Sequence, residues 1–536
     1  MTTVESLAFA PHLKTVNQIA TFLSLKPNRS EEMFEREVKD LALDSRIITQ
    51  GDGFIAVQGE FTHGLDYLTS VLDKQPSLII SDKALTEEQL NLLEAHSSDC
   101  VVWVIEDIQQ QLARLAHWFY DQPSQRIKVV GITGTNGKTS TAFYTAQLLD
   151  QLGEKVALIG TLGNGFYSDA GVQGLEMSGF TTPDVVSVHR LCSKFAEQGA
   201  QWLVMEVSSH GLELGRIELV EFEAVSLTQV TRDHMDFHGS VEAYQKAKIK
   251  LFTDYRSNHK VLNLNDAVGL QLSRSGLQGV CGYGVHQVEA LVVDKTAPLL
   301  SCEGLALHQH GMDFSLNFSE FTGQNVAVSV PLMGAFNIEN ILCALSIVIA
   351  SRTAEQLKLD WPKLVSGLPL LQSVEGRMQQ LGQSVNCPSV IIDFAHTPDA
   401  LEQVLSAVKQ HLPQGSNSAL WVVFGCGGDR DQGKRPLMAE IAERVADRVM
   451  VTNDNPRYED PQQIMDQIQD GFTQPADISI EMDRAKAIEQ VLSMASQDDI
   501  VMVAGKGHEN YQDIKGVKTP FNDAEVVTNW MAKHAC

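Results

Sequence analysis

A short apolar strand that leads into a glycine-rich loop and then into a helix constrains the fold of this chain most. The loop, Gly131–Ser140 (GITGTNGKTS), follows the run Ile127–Val130 and overlaps the start of the helical stretch Thr139–Leu152. A strand followed closely by a helix is the first half of a βαβ unit, which belongs to a parallel sheet covered by helices. Backbone N–H groups in such a loop bind phosphate oxygens, and the positive end of the helix dipole assists them. The feature therefore predicts an α/β protein that binds a nucleotide.

Two side chains of this loop have specific predicted roles. Lys138 is expected to reach the β- and γ-phosphates, and the Thr139 hydroxyl is expected to bind Mg²⁺. The other residues predicted to bind the nucleotide are Gly134, Thr135, Asn136, Gly137 and Ser140. The spacing departs from the usual G-x-x-x-x-G-K-S/T pattern, which would need a glycine where Ile132 stands. A glycine-rich turn without a ligand is the alternative interpretation.

Short apolar runs alternate with helix-length amphipathic stretches along nearly the whole chain, which favours parallel sheets with covering helices. The predicted strands are Gly53–Val57, Ser77–Ser81, Val101–Ile105, Lys155–Ile159, Trp202–Val207, Val225–Leu227, Lys260–Asn263, Val390–Asp393, Trp421–Phe424, Arg448–Thr452 and Ile500–Ala504. Helices are predicted over Gln109–Tyr120 and Asn337–Ser351. The short alternating segments around 285–330 predict an antiparallel part of the central region.

The length of the chain sets its domain count. At about 150 residues per domain, 536 residues correspond to three or four domains. We expect three α/β domains over 1–124, 125–353 and 354–536, of which the first is the smallest and the second carries the phosphate loop in a mainly parallel sheet. The segment Asp121–Gln125 is predicted to be the linker between the first two.

Charge and composition exclude several classes of protein. Lys and Arg number 41 against 67 Asp and Glu, a net charge of −26, which argues against a general nucleic-acid-binding surface. No apolar run approaches the length of a membrane span, and the acidic start Met1–Glu5 lacks the basic region of a secretion signal. The eight cysteines are scattered without a CxxC pair, which suits reduced thiols better than a disulfide framework or a zinc site. A cytoplasmic protein is expected.

The loop is one of several motifs that the chain shares with a known family. The others are Glu206–Leu212 (EVSSHGL), Arg232–His238 (RDHMDFH), Gly334–Asn340 (GAFNIEN), Glu375–Met378 (EGRM), Asp393–Asp399 (DFAHTPD) and Gly425–Asp431 (GCGGDRD). Together they resemble the motifs of Mur ligases, the ATP-dependent amide-forming enzymes of peptidoglycan synthesis. The resemblance extends from residue 43 to residue 509. It implies an N-terminal domain for the UDP end of the substrate, a central ATPase domain and a Rossmann-like C-terminal domain.

The resemblance also implies a reaction. A carboxylate is a poor electrophile until ATP phosphorylates it, after which an amine can attack and expel phosphate, a sequence that needs positioning and positive charge. The family pattern makes Glu206 and His234 ligands of a second Mg²⁺, and makes Lys248 a carbamylated lysine that supplies an anionic oxygen pair. Lys246 and Lys250 are alternatives for the modified lysine, and a solvated helix face is the alternative for all three.

Within the family, the likeness is greatest to members that add diaminopimelate or lysine to UDP-N-acetylmuramoyl-L-alanyl-D-glutamate. The residues that it assigns to the uridine side are Leu43, Ser45, Glu60, Phe61 and Thr62, and those that it assigns to the peptide side are Thr181, Thr182, Ser208 and Arg216. Asn337 is assigned to the adenine, with a helix cap as the alternative. Leu214 stands where some relatives have glutamine, and Asn265 where a carboxylate is frequent.

The incoming amino acid has its own predicted site in the third domain. Asp454, Asn455, Pro456 and Arg457 match the diaminopimelate form of the specificity motif, Arg430 matches a second contact, and Gly505 and Glu509 address the other end of the amino acid. Lysine lacks the distal carboxylate and would leave Arg457 unpaired, which costs roughly 2–5 kcal/mol for a buried charge. A solvated Arg457 in an ordinary strand-to-helix turn is the alternative. Asp393 and His396 also match the family, with a structural role as the alternative.

Three other functions compete with this hypothesis. A folylpolyglutamate-type ligase uses similar machinery, but that group usually has glycine where Thr139 follows Lys138. A nucleotide-dependent switch would not need the acceptor-like N-terminal region or the pair Glu206 and His234. A lysine-adding enzyme of the same kind differs only in the third domain. The expected cofactors are ATP, Mg²⁺ and the CO₂-derived carbamate, and the expected state is a monomer that binds neither nucleic acid nor membranes.

Overall fold

The computed structural model describes residues 13–25, 35–59, 61–96, 100–168, 171–176, 179–285, 288, 298–319, 325–381, 387–413, 417–474, 476 and 478–534. The chain forms two compact units. Unit 1 comprises Met1–Ala142, Gly153–Leu262 and Gly276–Val280, and unit 2 comprises Phe143–Leu152, Asn263–Ser275 and Cys281–Cys536.

The N-terminal part of unit 1 is a parallel four-stranded sheet, β3 to β6 in chain order, preceded by an antiparallel pair, β1 and β2. These strands are β1 (Lys14–Thr15), β2 (Glu37–Val38), β3 (Leu41–Ala42), β4 (Gly53–Ala56), β5 (Leu78–Ser81) and β6 (Val101–Val104). The helices are α1 (Val16–Phe22), α2 (Leu68–Leu72), α3 (Glu87–His96) and α4 (Ile108–Phe119). Helix α4 buries an apolar face that includes Leu112, Leu115 and Phe119, in one cluster with Ile55 and Ile80 of the sheet.

The rest of unit 1 contains a larger sheet with the strand order β10-β9-β8-β11-β7-β12-β13. These strands are β7 (Lys128–Thr133), β8 (Val156–Gly160), β9 (Gly163–Ser168), β10 (Gly171–Glu176), β11 (Trp202–Glu206), β12 (Phe222–Leu227) and β13 (Ser257–Asn263). Its helices are α5 (Lys138–Gln151), which continues into unit 2, α6 (Val185–Glu197), α7 (Ser209–Glu213), α8 (Met235–His238) and α9 (Val241–Thr253). In this sheet β8, β11, β7, β12 and β13 are parallel to one another. Strands β9 and β10 form an antiparallel edge beside β8.

The first part of unit 2 contains four adjacent strands, of which β15, β16 and β17 are antiparallel as the pattern around 285–330 predicts. They are β14 (Val280–Val285), β15 (Leu299–His308), β16 (Gly311–Phe318) and β17 (Val326–Val330). The helices of this part are α10 (Ala267–Ser273), α11 (Phe336–Ala350) and α12 (Ala354–Gly367).

The C-terminal part of unit 2 is a six-stranded sheet with the order β18-β19-β23-β20-β21-β22, parallel except at β18, and a separate hairpin. Its strands are β18 (Gln379–Leu381), β19 (Ser389–Asp393), β20 (Leu420–Phe424), β21 (Arg448–Val451), β22 (Ser479–Ile480) and β23 (Ile500–Ala504), and the hairpin is β24 (Tyr511–Ile514) with β25 (Val517–Pro520). The helices are α13 (Pro398–Lys409), α14 (Lys434–Val445), α15 (Pro461–Gln469), α16 (Arg484–Met494) and α17 (Asp523–Lys533). Side chains alternate between two apolar clusters along the strands, since Ile391 packs with α13 to α15 and Ile392 with α16 and α17, so helices cover both faces.

The predicted α/β class is confirmed, and the predicted strands and helices lie within a few residues of the observed ones. Within the predicted linker Asp121–Gln125, Pro123–Gln125 forms a 3₁₀ turn, and the Ser124 hydroxyl accepts the Glu221 N–H at 3.1 Å. No helix in the described ranges is long and apolar enough to cross a membrane. Cys100, Cys192, Cys281, Cys302, Cys343 and Cys426 are buried free thiols.

Candidate active site

The candidate nucleotide site lies where three neighbouring parallel strands of unit 1 end. β7 ends at Thr133, β11 at Glu206 and β12 at Leu227, and the register pairs Ile132 with Glu206 and Thr133 with Leu227. The carboxyl ends of parallel strands share one edge of the sheet, where α/β proteins commonly bind ligands. Residues 131–133 of the glycine-rich motif belong to β7, and its residues 134–140 follow directly after Thr133 at this edge.

The backbone of the loop is fixed by the segment that follows β12. Gly134 has φ of +153°, and a Cβ atom there would lie 1.9 Å from the Thr228 hydroxyl oxygen, so no side chain fits. Thr228 donates a hydrogen bond to the Asn136 carbonyl at 2.6 Å, and the Thr135 N–H donates to the Gln229 carbonyl at 2.7 Å. Ile132 is fully buried within β7, which explains why the usual first glycine is dispensable here: the position belongs to the strand and not to the loop.

Two lysines, the half-buried Lys138 and the buried Lys248, meet at one carbonyl of this loop. Lys138 donates to the Gly134 and Thr135 carbonyls at 2.9 and 2.8 Å, and Lys248 of α9 donates to the same Gly134 carbonyl at 2.8 Å. Burial lowers the pKa of Lys138, while burial and the neighbouring Lys138 hold the pKa of Lys248 well below its ordinary value. Of the three lysines in this helix, only Lys248 is buried: Lys246 is exposed, and Lys250 pairs with Glu213 at 2.8 Å.

Glu206 gathers oxygen-bearing groups beside the loop. Its Oε2 accepts a hydrogen bond from the Thr139 hydroxyl at 2.9 Å, and the Thr161 N–H and hydroxyl reach its two oxygens at 2.9 and 3.2 Å. A Cβ at Gly160 would lie 2.3 Å from Glu206 Oε1, so a side chain there would displace this carboxylate from its present position. The predicted pair Thr139 and Glu206 is therefore in direct contact, and both supply the hard oxygen atoms that Mg²⁺ prefers.

His234 lies in a group of aromatic rings next to the loop. It adopts a left-handed conformation with φ of 51°, its ring centroid lies 4.7 Å from that of His210, and Nε2 is 3.4 Å from an Asp233 oxygen. Among the described residues, no hydrogen bond or ion pair joins it to Glu206, and no three His, Cys, Asp or Glu side chains converge as a metal site. A role for His234 as a metal ligand stays a prediction.

The predicted peptide-side residues lie together at the end of β11. The Thr182 hydroxyl donates to the Glu206 carbonyl at 2.9 Å and to the Ser208 hydroxyl at 3.1 Å, and the Arg216 guanidinium donates to the Thr182 carbonyl at 2.9 Å. Thr181 lies 3.1 Å from Thr161, which itself contacts Glu206. Burial lowers the pKa of Arg216, whose guanidinium lies 4.6 Å from the Phe180 ring centroid. These contacts connect the predicted acceptor residues to the nucleotide edge.

The predicted uridine-side residues are less tightly fixed. Phe61 is 86% exposed, and the Thr62 hydroxyl lies 3.3 Å from the Tyr67 hydroxyl. Leu43 and Ser45 are half-buried after β3, and Leu43 packs against the core of the N-terminal sheet. Glu60 lies outside the described residues. An exposed aromatic side chain next to hydroxyl groups is a suitable surface on which a base can stack.

In unit 2, the predicted amino-acid site forms where β21 and β23 end. The Asn455 amide donates to Glu509 Oε2 at 2.8 Å, and the ammonium of Lys506 contacts both Asn455 Oδ1 at 3.1 Å and Glu509 Oε2 at 3.3 Å. Lys506 is fully buried and also lies 3.6 Å from Asp454 Oδ1, an atom that has no hydrogen bond among the described residues. Gly505 has φ of +117°, and a Cβ there would lie 3.1 Å from Asp454 Oδ2.

Arg457 is held in the same turn by its backbone. Its φ of 50° is left-handed, its N–H donates to the Asp513 carbonyl at 3.0 Å, and its own carbonyl accepts the Lys515 N–H at 2.7 Å. Nη1 donates to the Gly428 carbonyl at 2.8 Å. Pro456 is buried in this turn, and its carbonyl leaves no room for a side chain at Gly428. Arg430, the second predicted contact, is exposed.

Several further predicted residues have structural partners. Asn337 is buried, with its amide hydrogen-bonded to Met333, Tyr144 and Asn340 at 2.7, 3.3 and 2.9 Å. It lies within helix α11, whose N-cap is Ala335, so it is not the helix cap, and its contact with adenine stays a prediction. Asp393 accepts two backbone N–H groups at 2.8 Å. Asn265 bonds the Val285 backbone with both ends of its amide, at 2.6 and 3.1 Å. His396 and Leu214 are exposed, and Cys426 is a buried thiol.

Sequence reasoning missed several residues that contact the site. Thr161 and Thr228 hold Glu206 and the loop, but isolated threonines give no pattern in a sequence. Tyr244, whose hydroxyl lies 2.8 Å from that of Thr135, is only one helical turn before Lys248. Lys506 stands between Gly505 and Glu509, so its position was visible although its burial among carboxylates was not.

Comparison with known proteins identifies the family. The Mur ligase middle domain matches residues 132–348, and the Mur ligase glutamate ligase domain matches residues 376–507. A Pseudomonas putida protein named UDP-N-acetylmuramoyl-L-alanyl-D-glutamate--2,6-diaminopimelate ligase is 39% identical over 506 residues, 93% of this chain and 96% of that protein. The chain belongs to the Mur ligase family.

Other Mur ligases agree with this assignment. A Vibrio vulnificus protein of the same name is 37% identical over 494 residues, covering 92% of this chain and 94% of its own. A solved structure of a protein with that name has a TM-score of 0.66 at 31% identity, and the match covers 98% of this chain and 100% of the other. The family predicted from the motifs is therefore confirmed, as is the Mur ligase fold.

Proposed function

We propose that this Mur ligase adds meso-diaminopimelate to the D-glutamate of UDP-N-acetylmuramoyl-L-alanyl-D-glutamate in peptidoglycan precursor synthesis. The glutamate carboxylate attacks the γ-phosphorus of ATP, which gives an acyl phosphate and ADP, and the amine then attacks the acyl carbon and expels phosphate. Relatives named for this reaction cover more than nine-tenths of the chain. The observation that carries the choice of amino acid is the Asp454–Arg457 turn, in which the Arg457 guanidinium is anchored through one nitrogen.

At the ATP end, the chain supplies positioning and positive charge. The N–H groups of residues 134–140 are proposed to bind the phosphates, and Lys138 to exchange its loop carbonyls for β- and γ-phosphate oxygens. Arg216 and Ser208 are proposed to hold the acceptor peptide, next to Thr181 and Thr182. Gly505 and Glu509 are proposed to bind the amino-acid end of the incoming substrate, and the Asp454–Arg457 motif with Arg430 is proposed to recognise its distal end.

Thr139, Glu206, His234 and the carbamate of Lys248 are proposed to hold Mg²⁺. The contact between the Thr139 hydroxyl and Glu206 fits that ion, and the burial of Lys248 favours the neutral amine that combines with CO₂. Bound Mg²⁺ would offset the charge of the transferring phosphoryl group. With ¹³C-bicarbonate, a carbamate NMR signal is expected from the unmodified chain and from Lys246→Gln, and its persistence in Lys248→Gln would contradict the assignment.

The decisive experiment is phosphate release with ATP, Mg²⁺ and the UDP-dipeptide, with meso-diaminopimelate compared against L-lysine. Turnover with diaminopimelate alone is the expected result, because lysine would leave the Arg457 guanidinium without a carboxylate. A preference for lysine would keep the ligase reaction and overturn the specificity assignment. Turnover with a pteroate acceptor and glutamate would favour the folylpolyglutamate alternative.

Three further properties belong to the same proposal. The chain is proposed to work in the cytoplasm, where the UDP-linked precursor is made, and to act as a monomer. Its functional domains are proposed to be 1–124, 125–353 and 354–536. Sedimentation velocity at micromolar concentration, with and without substrates, tests the monomer, and a stable dimer would contradict it.

A further inference from the structure

The two loops that build the amino-acid site follow strands that are not neighbours. Asp454 and Asn455 follow β21, and Gly505, Lys506 and Glu509 follow β23, with β20 between these strands in the sheet. Strand-to-strand hydrogen bonds join β20 to each of them, but none can join β21 directly to β23. The sheet alone therefore fixes the spacing of the two loops only through β20.

A buried arginine bridges this gap. Arg484, the first residue of α16, donates from Nη2 to the Ala504 carbonyl at 3.0 Å, and from Nη1 to the Asn453 carbonyl at 3.5 Å. Ala504 directly precedes Gly505, and Asn453 directly precedes Asp454. One planar guanidinium thus contacts the last backbone group before each half of the site.

The guanidinium is itself fixed by a buried carboxylate. Asp523, at the start of α17, accepts Nε and Nη2 of Arg484 at 2.7 and 2.8 Å, and both side chains are fully buried. A bidentate pair holds the fork in one plane, which a lysine cannot reproduce with its single ammonium. The pair is shielded from solvent, and the carboxylates of Asp454 and Glu509 also act on the Arg484 guanidinium through their charge.

We propose that Arg484, oriented by Asp523, is a positioning residue that sets the distance between Asp454–Asn455 and Gly505–Glu509 and so determines affinity for the incoming amino acid. The proposal rests on the proposed function of this site, and it assigns Arg484 no contact with substrate. Loss of the fork would let the two loops separate, so that one end of the amino acid loses its partners. The binding of ATP and of the UDP-dipeptide would not change.

The test is steady-state kinetics of the full chain with Arg484→Lys and Asp523→Asn, varying each substrate in turn. The KM for meso-diaminopimelate is expected to rise about 10-fold or more, with the KM values for ATP and the UDP-dipeptide unchanged and most of kcat retained at saturating amino acid. The control is Val491→Ala, a buried apolar residue on the same helix that belongs to the core cluster of this sheet. It should lower the melting temperature without changing the ratio of the three KM values.

Each outcome distinguishes a positioning role of Arg484 from a purely structural one. Equal changes in all three KM values, or a change in melting temperature alone as in Val491→Ala, would overturn the positioning role. If Arg484→Lys does not fold, Asp523→Asn gives the same comparison with the guanidinium retained. If the unmodified chain uses another amino acid, the proposed substrate fails, while the KM ratio measured with that amino acid still decides the role of Arg484.

Discussion

Lys506 is a single buried residue that supports several residues of the predicted amino-acid site. Its buried ammonium contacts Asn455 and Glu509 and lies near Asp454, so three predicted ligand-binding residues depend on one cation. Because this ammonium and the Asp513 N–H both donate to Asn455 Oδ1, the amide nitrogen of Asn455 must face Glu509. The orientation of that amide is therefore set by its surroundings.

Replacement of this cation should be costly. Lys506→Met leaves the carboxylates of Asp454 and Glu509 without their shared partner, and removing one member of a buried charge pair costs about 3–5 kcal/mol. We expect kcat/KM for the amino acid to fall at least about 100-fold, because Asn455, Asp454 and Glu509 lose the group that orients them. Lys518→Met is the control, since the ammonium groups of Lys506 and Lys518 both lie over the Tyr511 ring, at 5.8 and 4.1 Å, but Lys518 is exposed. A change in Lys506→Met no larger than in this control would contradict the interpretation.

At the level of elements, the phosphate loop depends on the segment after β12 as much as on its own sequence. In Gly134→Ala, the new methyl group would meet the Thr228 hydroxyl at 1.9 Å, so the loop must move away from the segment that fixes it. Kinetics should show the KM for ATP rising about 10-fold or more, since small displacements of positioning groups are costly. Gly153→Ala, at φ of +91° with nothing within 4 Å, is the control for backbone strain alone. An equal effect in both variants would rule out the steric explanation.

Helix α6 carries a buried histidine that makes stability depend on pH. His189 lies 2.9 Å from the Glu218 carbonyl through Nε2, and burial lowers its pKa to about 4. Between pH 6.5 and about pH 4, this histidine binds a proton in the unfolded chain but not in the folded chain. The free energy of unfolding is therefore highest above pH 6.5 and falls as the pH drops from 6.5 to about 4. The loss reaches about 3 kcal/mol.

Urea unfolding at pH 7.5 and pH 5 measures this loss. His189→Gln, which keeps an N–H donor for the Glu218 carbonyl, should show a smaller loss of stability between the two pH values. His96→Gln, at the end of helix α3, should keep the full pH dependence of the unmodified chain. A His189→Gln profile identical to that of the unmodified chain would show that this histidine does not cause the effect.

For the whole molecule, ligand binding should be measurable as stability. A ligand that binds only the folded chain adds about 2.7 kcal/mol to the free energy of unfolding at 100 times its dissociation constant. We therefore expect ATP with Mg²⁺ to raise the melting temperature, and Thr139→Ala to reduce this shift because a hydroxyl next to Glu206 is lost. ATP with EDTA is the control. An equal shift with and without Mg²⁺ would contradict a metal role for Thr139 and Glu206.

The fold class, the strand-loop-helix unit around Lys138 and the family could all be predicted from the sequence, because apolar periodicity and contiguous motifs are local properties of a chain. The family motifs also predicted the amino-acid site in Asp454–Arg457 and Gly505–Glu509, because each is a short continuous segment. The folded chain was needed to show that Lys248 is the buried lysine of its helix and that Asn337 has structural partners, because burial depends on segments that are distant in the sequence.

The tertiary structure alone also revealed the supporting residues. Thr228, 94 positions after Gly134 in the sequence, packs directly against it. Arg484 donates hydrogen bonds to the carbonyls of Asn453 and Ala504 and is held by Asp523. None of these residues has a recognisable spacing, because their roles arise from the order of strands in the sheet and from buried charges that must be paired. Such roles therefore exist only in the folded chain.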